Sequence, residues 1–146
     1  MPEQMPGCQH GCGKRDVFLH FRVAATPEAI APIVESVFEL AHRELGQDKS
    51  MELSLALQEA LANAVVHGSH RNPSKAVECW VARAEGDILI VVRDSGPGFD
   101  LDAVPDPRGR AQVGSDHGRG IHMIRELMDE VHFVRNGAEI HMRKQS

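Results

Sequence analysis

Asp87-Ile-Leu-Ile-Val-Val-Arg93 runs directly into Asp94-Ser-Gly-Pro-Gly-Phe99, and this junction decides how the chain folds. The first stretch is short, apolar and β-branched and follows the turn residues Glu85-Gly86-Asp87, the pattern of a buried strand. An acid then stands where the strand ends. Gly96 and Gly98 follow at a spacing that lets the backbone take positive φ and approach a ligand with no Cβ in between. A carboxylate there can accept a hydrogen bond from a flat donor held against the glycines, although Asp-x-Gly-x-Gly alone also describes a plain turn.

Two stretches on either side favour a site. Upstream, Leu53-Ser-Leu-Ala-Leu-Gln-Glu-Ala-Leu-Ala-Asn-Ala-Val-Val-His67-Gly68 is rich in Ala and Leu and predicts a helix. Glu59, Asn63 and His67 recur every four residues and share one face, while Leu53, Leu57, Ala60, Leu61 and Ala64 supply the core side. Asn63 is therefore expected at the boundary between core and cleft. Downstream, Asp116-His-Gly-Arg-Gly-Ile121 feeds a helix predicted over Ile121–Met128. Glycines ahead of a helix N-terminus make an anion site, because free N–H groups and the helix dipole point the same way.

Together, Glu-x-x-x-Asn, Asp-x-Gly-x-Gly and Gly-x-Gly-Ile, in that order with a lid before the last, resemble the ATP-binding motifs of the GHKL (Bergerat-fold) ATPases. Asn63-Ala-x-x-His67-Gly68 and Leu127-Met-Asp-Glu-Val131 are most similar to the anti-sigma-factor serine kinases within that superfamily. The likeness spans roughly residues 16–144. It implies ATP and Mg²⁺ as cofactors, with Asn63 as the metal ligand; Mg²⁺ prefers hard oxygens and takes most of the rest from phosphate and water. Glu59 would orient or deprotonate an attacking hydroxyl. Asp94 would hold the adenine amino group with Gly96 and Gly98 against the base, and Gly118, Arg119, Gly120 and Ile121 would lie at the phosphates. His67 is an accessory candidate, or simply a helix C-terminal residue favoured by the dipole.

The family usually ends its last motif with Gly-Thr, whose hydroxyl helps fix the adenine-side Asp. The matching place here is Gly137-Ala138. A methyl group cannot make that hydrogen bond, which leaves open a non-catalytic ATP-binding interaction module beside the kinase. A sensor-histidine-kinase-like ATPase domain is a third reading. The kinase reading implies a sigma factor and a STAS-type anti-sigma antagonist as partners and leaves a homodimer open.

The rest of the chain fits one domain. Its 146 residues, 42% hydrophobic and 25% charged, have an ordinary globular composition. A net charge of −5 does not suit direct nucleic-acid binding, which calls for a basic surface. No run is long or apolar enough to cross a membrane or to form a signal-peptide core, so a cytoplasmic protein is expected. Three cysteines are too few and odd in number for a secreted disulfide framework.

Residues 1–15 carry Pro, Gly and polar residues without apolar periodicity and read as a flexible tail, with the domain covering 16–146. Within the tail, Cys8, His10 and Cys12 lack the C-x₂-C spacing of common zinc sites. Alternation over Val17–Val23 predicts a strand, and Pro27 behind Thr26 as N-cap predicts the start of a helix that runs to about Leu45 and is closed by Gly46; Pro32 inside it would fit more easily if the helix began nearer Ala29. Asp48 or Ser50 would cap the next helix. Ala76–Ala82 and Ile88–Arg93 read as a hairpin, Asp100–His117 as a lid loop, and Asn136-Gly137 as the turn of a final hairpin. The expected architecture is an α/β two-layer sandwich: a mixed, mostly antiparallel sheet with the helices on one face.

Overall fold

Strand β1 (Asp16–Ala24) leads through a 3₁₀ turn (Pro27–Ala29) into helices α1 (Ile30–Leu45) and α2 (Gln47–Ala62). A π-helical turn (Asn63–Gly68) continues α2, and strands β2 (Ala76–Ala84) and β3 (Asp87–Arg93) follow. Helix α3 (Asp116–Leu127) and strands β4 (Glu130–Val134) and β5 (Glu139–Lys144) complete the order. The computed structural model describes residues 16–68, 72, 74–95, 116–134 and 138–146. The tail 1–15 with Cys8, His10 and Cys12, residues 100–115 of the expected lid, and the Asn136-Gly137 turn lie outside the described residues, while Asp116 and His117, expected in the lid, open α3 instead.

The strands form one sheet in the order β1-β2-β3-β5-β4. Every ladder among the described residues is antiparallel. The two-layer sandwich is as expected, and no parallel pair among these residues contributes the mixed character foreseen for the sheet. Alternation sets the faces. Leu19, Val81, Ile90, Met142 and Val131 lie in register across all five strands. They share one core with Ile33 and Val37 of α1, Leu53, Leu57 and Leu61 of α2, and Ile124 of α3. Cys79 lies in this layer too, where burial pushes its thiol pKa up to about 12 and leaves it no nucleophile at neutral pH.

The opposite face is organised by charge. Arg22, Glu78, Arg93 and Glu139 are successive register partners, an alternating row across four strands. Glu139 accepts from Arg93 Nε at 2.6 Å and lies 2.6 Å from His141 Nε2. Burial pushes the Glu139 carboxyl up, but the bonds from His141 and Arg93 outweigh it and hold the group below the usual carboxylate range. Beside this row, Trp80 packs with Ala82 and Val91 in a small second cluster and stacks on His20, ring centroids 4.9 Å apart.

Local chemistry explains the joints. Pro32 is the third residue of α1, where the missing N–H would have had no partner within the helix. Gly46 has φ 84°, donates its N–H to His42 O and accepts the N–H of Ser50, so one residue ends α1 and starts α2. The side-chain cap expected from Asp48 or Ser50 does not form: both lie inside the helix, and Ser50 Oγ donates to Gln47 O instead. The β2–β3 turn, Glu85 and Gly86 at φ 55° and 88°, has the two positive φ values of a tight hairpin whose twist matches its strands.

Candidate functional site

Helix α2 crosses the sheet with its apolar side down, and this fixes the direction of its polar stripe. Glu59 and Asn63 come out half-buried on the flank that meets α3. The contact there is close. A Cβ built on Gly120 would lie 2.9 Å from Glu59 Oε2 and 3.5 Å from both Asn63 Oδ1 and Nδ2. Only a residue without a side chain lets the first turns of α3 reach these two groups as they stand. Among the described residues neither the Glu59 carboxylate nor the Asn63 amide has a hydrogen-bond or ion-pair partner. Polar groups that come this close to a helix start without pairing to protein are available to a ligand.

The sequence places α3 too late. The helix begins at Asp116 rather than Ile121, so Gly118, Arg119 and Gly120 lie in its first turns and not ahead of it. The first N–H groups of a helix lack partners within it, so the anion-binding argument keeps its force with the start moved upstream. Ile121 is 3% exposed and faces the interior with Ile124, which anchors this end of α3.

Asp94 directly follows β3 with 8% of its surface exposed. Its backbone N–H donates to Ala138 O at 2.8 Å, so the residue standing where the motif family has Thr does abut the aspartate. Ser95, which the sequence reading passed over, ties the same loop down: its hydroxyl donates to Ala76 O at 2.8 Å. Only its place right after the acid could have drawn attention to it. Gly96 and Gly98 lie outside the described residues, as do the side chains of His67 and Arg119. The backbone of His67 falls in the π-helical turn that follows Asn63, and such turns recur at functional positions.

Among the described residues no three His, Cys, Asp or Glu side chains converge as a metal-binding group. The Asn63 amide oxygen, hard and unpaired, fits the way Mg²⁺ is held by one or two protein oxygens with phosphates and waters completing the shell.

The profile of the histidine kinase-like ATPase domain matches residues 23–144, which contain every motif described above. The chain belongs to this family. Like the rest of the histidine kinase-like ATPases it has ATP as its expected ligand, and the Glu59–Asn63–Gly120 contact and Asp94 fall within the matched span. The chain is also 27% identical over 136 residues to a protein of Bacillus cytotoxicus named anti-sigma F factor, covering 90% of this chain and 92% of that one. Proteins of the same name from Oceanobacillus iheyensis and Bacillus thuringiensis are each 26% identical, covering 90% of this chain and 93% and 92% of theirs. Among the described residues no helix is long and apolar enough to cross a membrane.

Proposed function

We propose that this histidine kinase-like ATPase is a cytoplasmic, Mg·ATP-dependent protein serine/threonine kinase that also captures a sigma factor, its phosphoacceptor being a STAS-type antagonist of that capture. The observation carrying the reading is the close approach of Gly120 to Glu59 and Asn63, which brings an unpaired carboxylate and an unpaired amide to the start of α3. The relatives named anti-sigma F factor support the sigma-factor partner.

In this reading Asn63 contributes an oxygen to Mg²⁺ and the first turns of α3, with Gly118, Arg119 and Gly120, hold the phosphates. Asp94 accepts the adenine amino hydrogen, with Gly96 and Gly98 against the base. Mg²⁺, when bound, neutralises phosphate charge. Glu59 takes the proton of the acceptor hydroxyl as that oxygen bonds to the γ-phosphorus and ADP departs with the bridging oxygen. His67, one helical turn past Asn63, is kept as an accessory group. A homodimer belongs to the same reading.

The test is transfer from radiolabelled ATP to a cognate antagonist. Glu59→Ala should lower transfer by about 10²–10⁴-fold while Mg·ATP affinity and sigma-factor capture persist, because a base acts on the nucleophile and not on the bound ground state. One observation favours a second reading. Ala138, whose carbonyl accepts the Asp94 N–H, has no side-chain hydroxyl to offer the aspartate, which suits a nucleotide-gated binding module without transfer. A wild type that binds ATP and sigma factor yet labels no antagonist would replace the kinase with that module.

A further inference from the structure

Helices α2 and α3 pack side by side and antiparallel, and polar groups mark both ends of that contact. At one end Gly120 lies against Glu59 and Asn63. At the other, Lys144 Nζ donates to Glu52 Oε2 at 2.6 Å and to Leu127 O at 2.5 Å. The spacing is matched, since Glu52 precedes Glu59 by seven residues and Leu127 follows Gly120 by seven. At 1.5 Å of rise per residue the two contacts stand about 10 Å apart on both helices.

Lys144 is 6% exposed, and its ammonium reaches from the last residue of β5 to the last residue of α3. The Leu127 carbonyl is one of the acceptors a helix end leaves unpaired, and a cation there is favoured by the dipole. Glu52, whose side chain is 46% exposed, supplies the opposite charge from α2. One buried group therefore joins the sheet to both helices of the cleft, at the end away from Glu59.

We infer that Lys144 is a positioning residue for the nucleotide site: by tying the C-terminal end of α3 to α2 it keeps the Gly120 end at the distance where Glu59 and Asn63 meet a bound nucleotide. This rests on the nucleotide reading given above. With the tie cut, α3 keeps its Ile124 packing but can swing about it. The N–H groups of its first turns then move relative to Glu59, the remote loss that misplaces groups in a preorganised site.

The experiment compares Lys144→Met and Lys144→Arg with Val37→Ala, a core truncation in α1, in the full chain. Calorimetry gives Mg·ATP affinity, and thermal melts are read beside it. Hydrogen exchange at the amides of residues 121–124 reports on the middle of α3. Lys144→Met should weaken Mg·ATP roughly tenfold beyond whatever Val37→Ala does, speed exchange at 121–124 selectively, and be restored to within about twofold by Lys144→Arg. Equal affinity and equal exchange in Lys144→Met and Val37→Ala would overturn the inference while leaving the nucleotide reading intact. A wild type that binds no Mg·ATP would instead overturn the nucleotide reading and this inference with it.

Discussion

The two polar regions of this molecule differ in one respect, and the difference separates scaffold from site. On the far face of the sheet the acids are paired. Glu139 lies between Arg93 and His141, and Asp87 accepts from Arg143 Nε and Nη2 and from the Ser146 N–H. At the α2–α3 cleft Glu59 and Asn63 have no partner among the described residues. Paired charges fix a structure in place, whereas unpaired groups held at a helix start can act on something that arrives.

If that contrast is right, damage to the cleft should alter chemistry and spare folding, and damage to the far face should do the reverse. The largest effect is expected from Asn63→Ala, which should abolish metal-dependent nucleotide binding and transfer together; calorimetry with and without Mg²⁺ checks it. Next comes Asp94→Asn. Losing a hydrogen bond to a charged group costs roughly 1.5–3 kcal/mol, so ATP affinity should fall by at least about tenfold. Equal affinity in wild type and variant would remove the adenine role from Asp94.

Gly120→Ala sharpens the comparison. The new methyl would stand 2.9 Å from Glu59 Oε2, the end of a flexible side chain that turns aside. Transfer should drop several-fold. Stability should hold or rise, since Ala is better than Gly inside a helix by up to about 1 kcal/mol. A fall in melting temperature matching the loss of transfer would mean the glycine serves packing and not the site.

Asp87→Asn tests the other region. Burial raises the Asp87 pKa, but the bonds from Arg143 and Ser146 prevail and leave it below the usual value. The unfolded chain therefore takes up this proton first as pH falls. The stabilisation is complete above the unfolded value near 3.9 and disappears as pH drops through the lower folded one. Asp87→Asn should lower the melting temperature at pH 7, flatten the acid side of the stability profile below about pH 4, and leave ATP affinity unchanged. The smallest effect is expected from deleting residues 1–15, which should alter neither melting temperature nor ATP affinity, because the tail carries no apolar pattern.

The elements of the sandwich were legible because each obeys a period. The β-branched run of β3 and the Ala- and Leu-rich face of α2 declare themselves within a dozen residues. Glu59 and Asn63 stood out as polar positions on that same helix, and the structure brings them to Gly120, as their shared face required. What escaped the sequence depends on partners distant along the chain. Lys144 reads as an ordinary charge near the C-terminal end until Glu52 and Leu127 are seen beside it, 92 and 17 residues away. The start of α3 was set too late because Gly118 and Gly120 look like helix breakers. Gly118 lies in the first turn, which has few internal hydrogen bonds to lose, and Gly120 is needed just past it for the close approach to Glu59.

The single-residue joint at Gly46 bears on how the chain reaches this structure. It lets α1 and α2 fold back on each other with almost no loop to close, so their packing can be gained early. The sheet is different: His20 must find Trp80 and Val91 must find His141. Those pairings close loops of roughly fifty to sixty residues, the non-local kind that slows folding. Substitutions at the α1–α2 contact should accordingly change the folding rate, whereas those pairing β1 to β2 should chiefly change the unfolding rate.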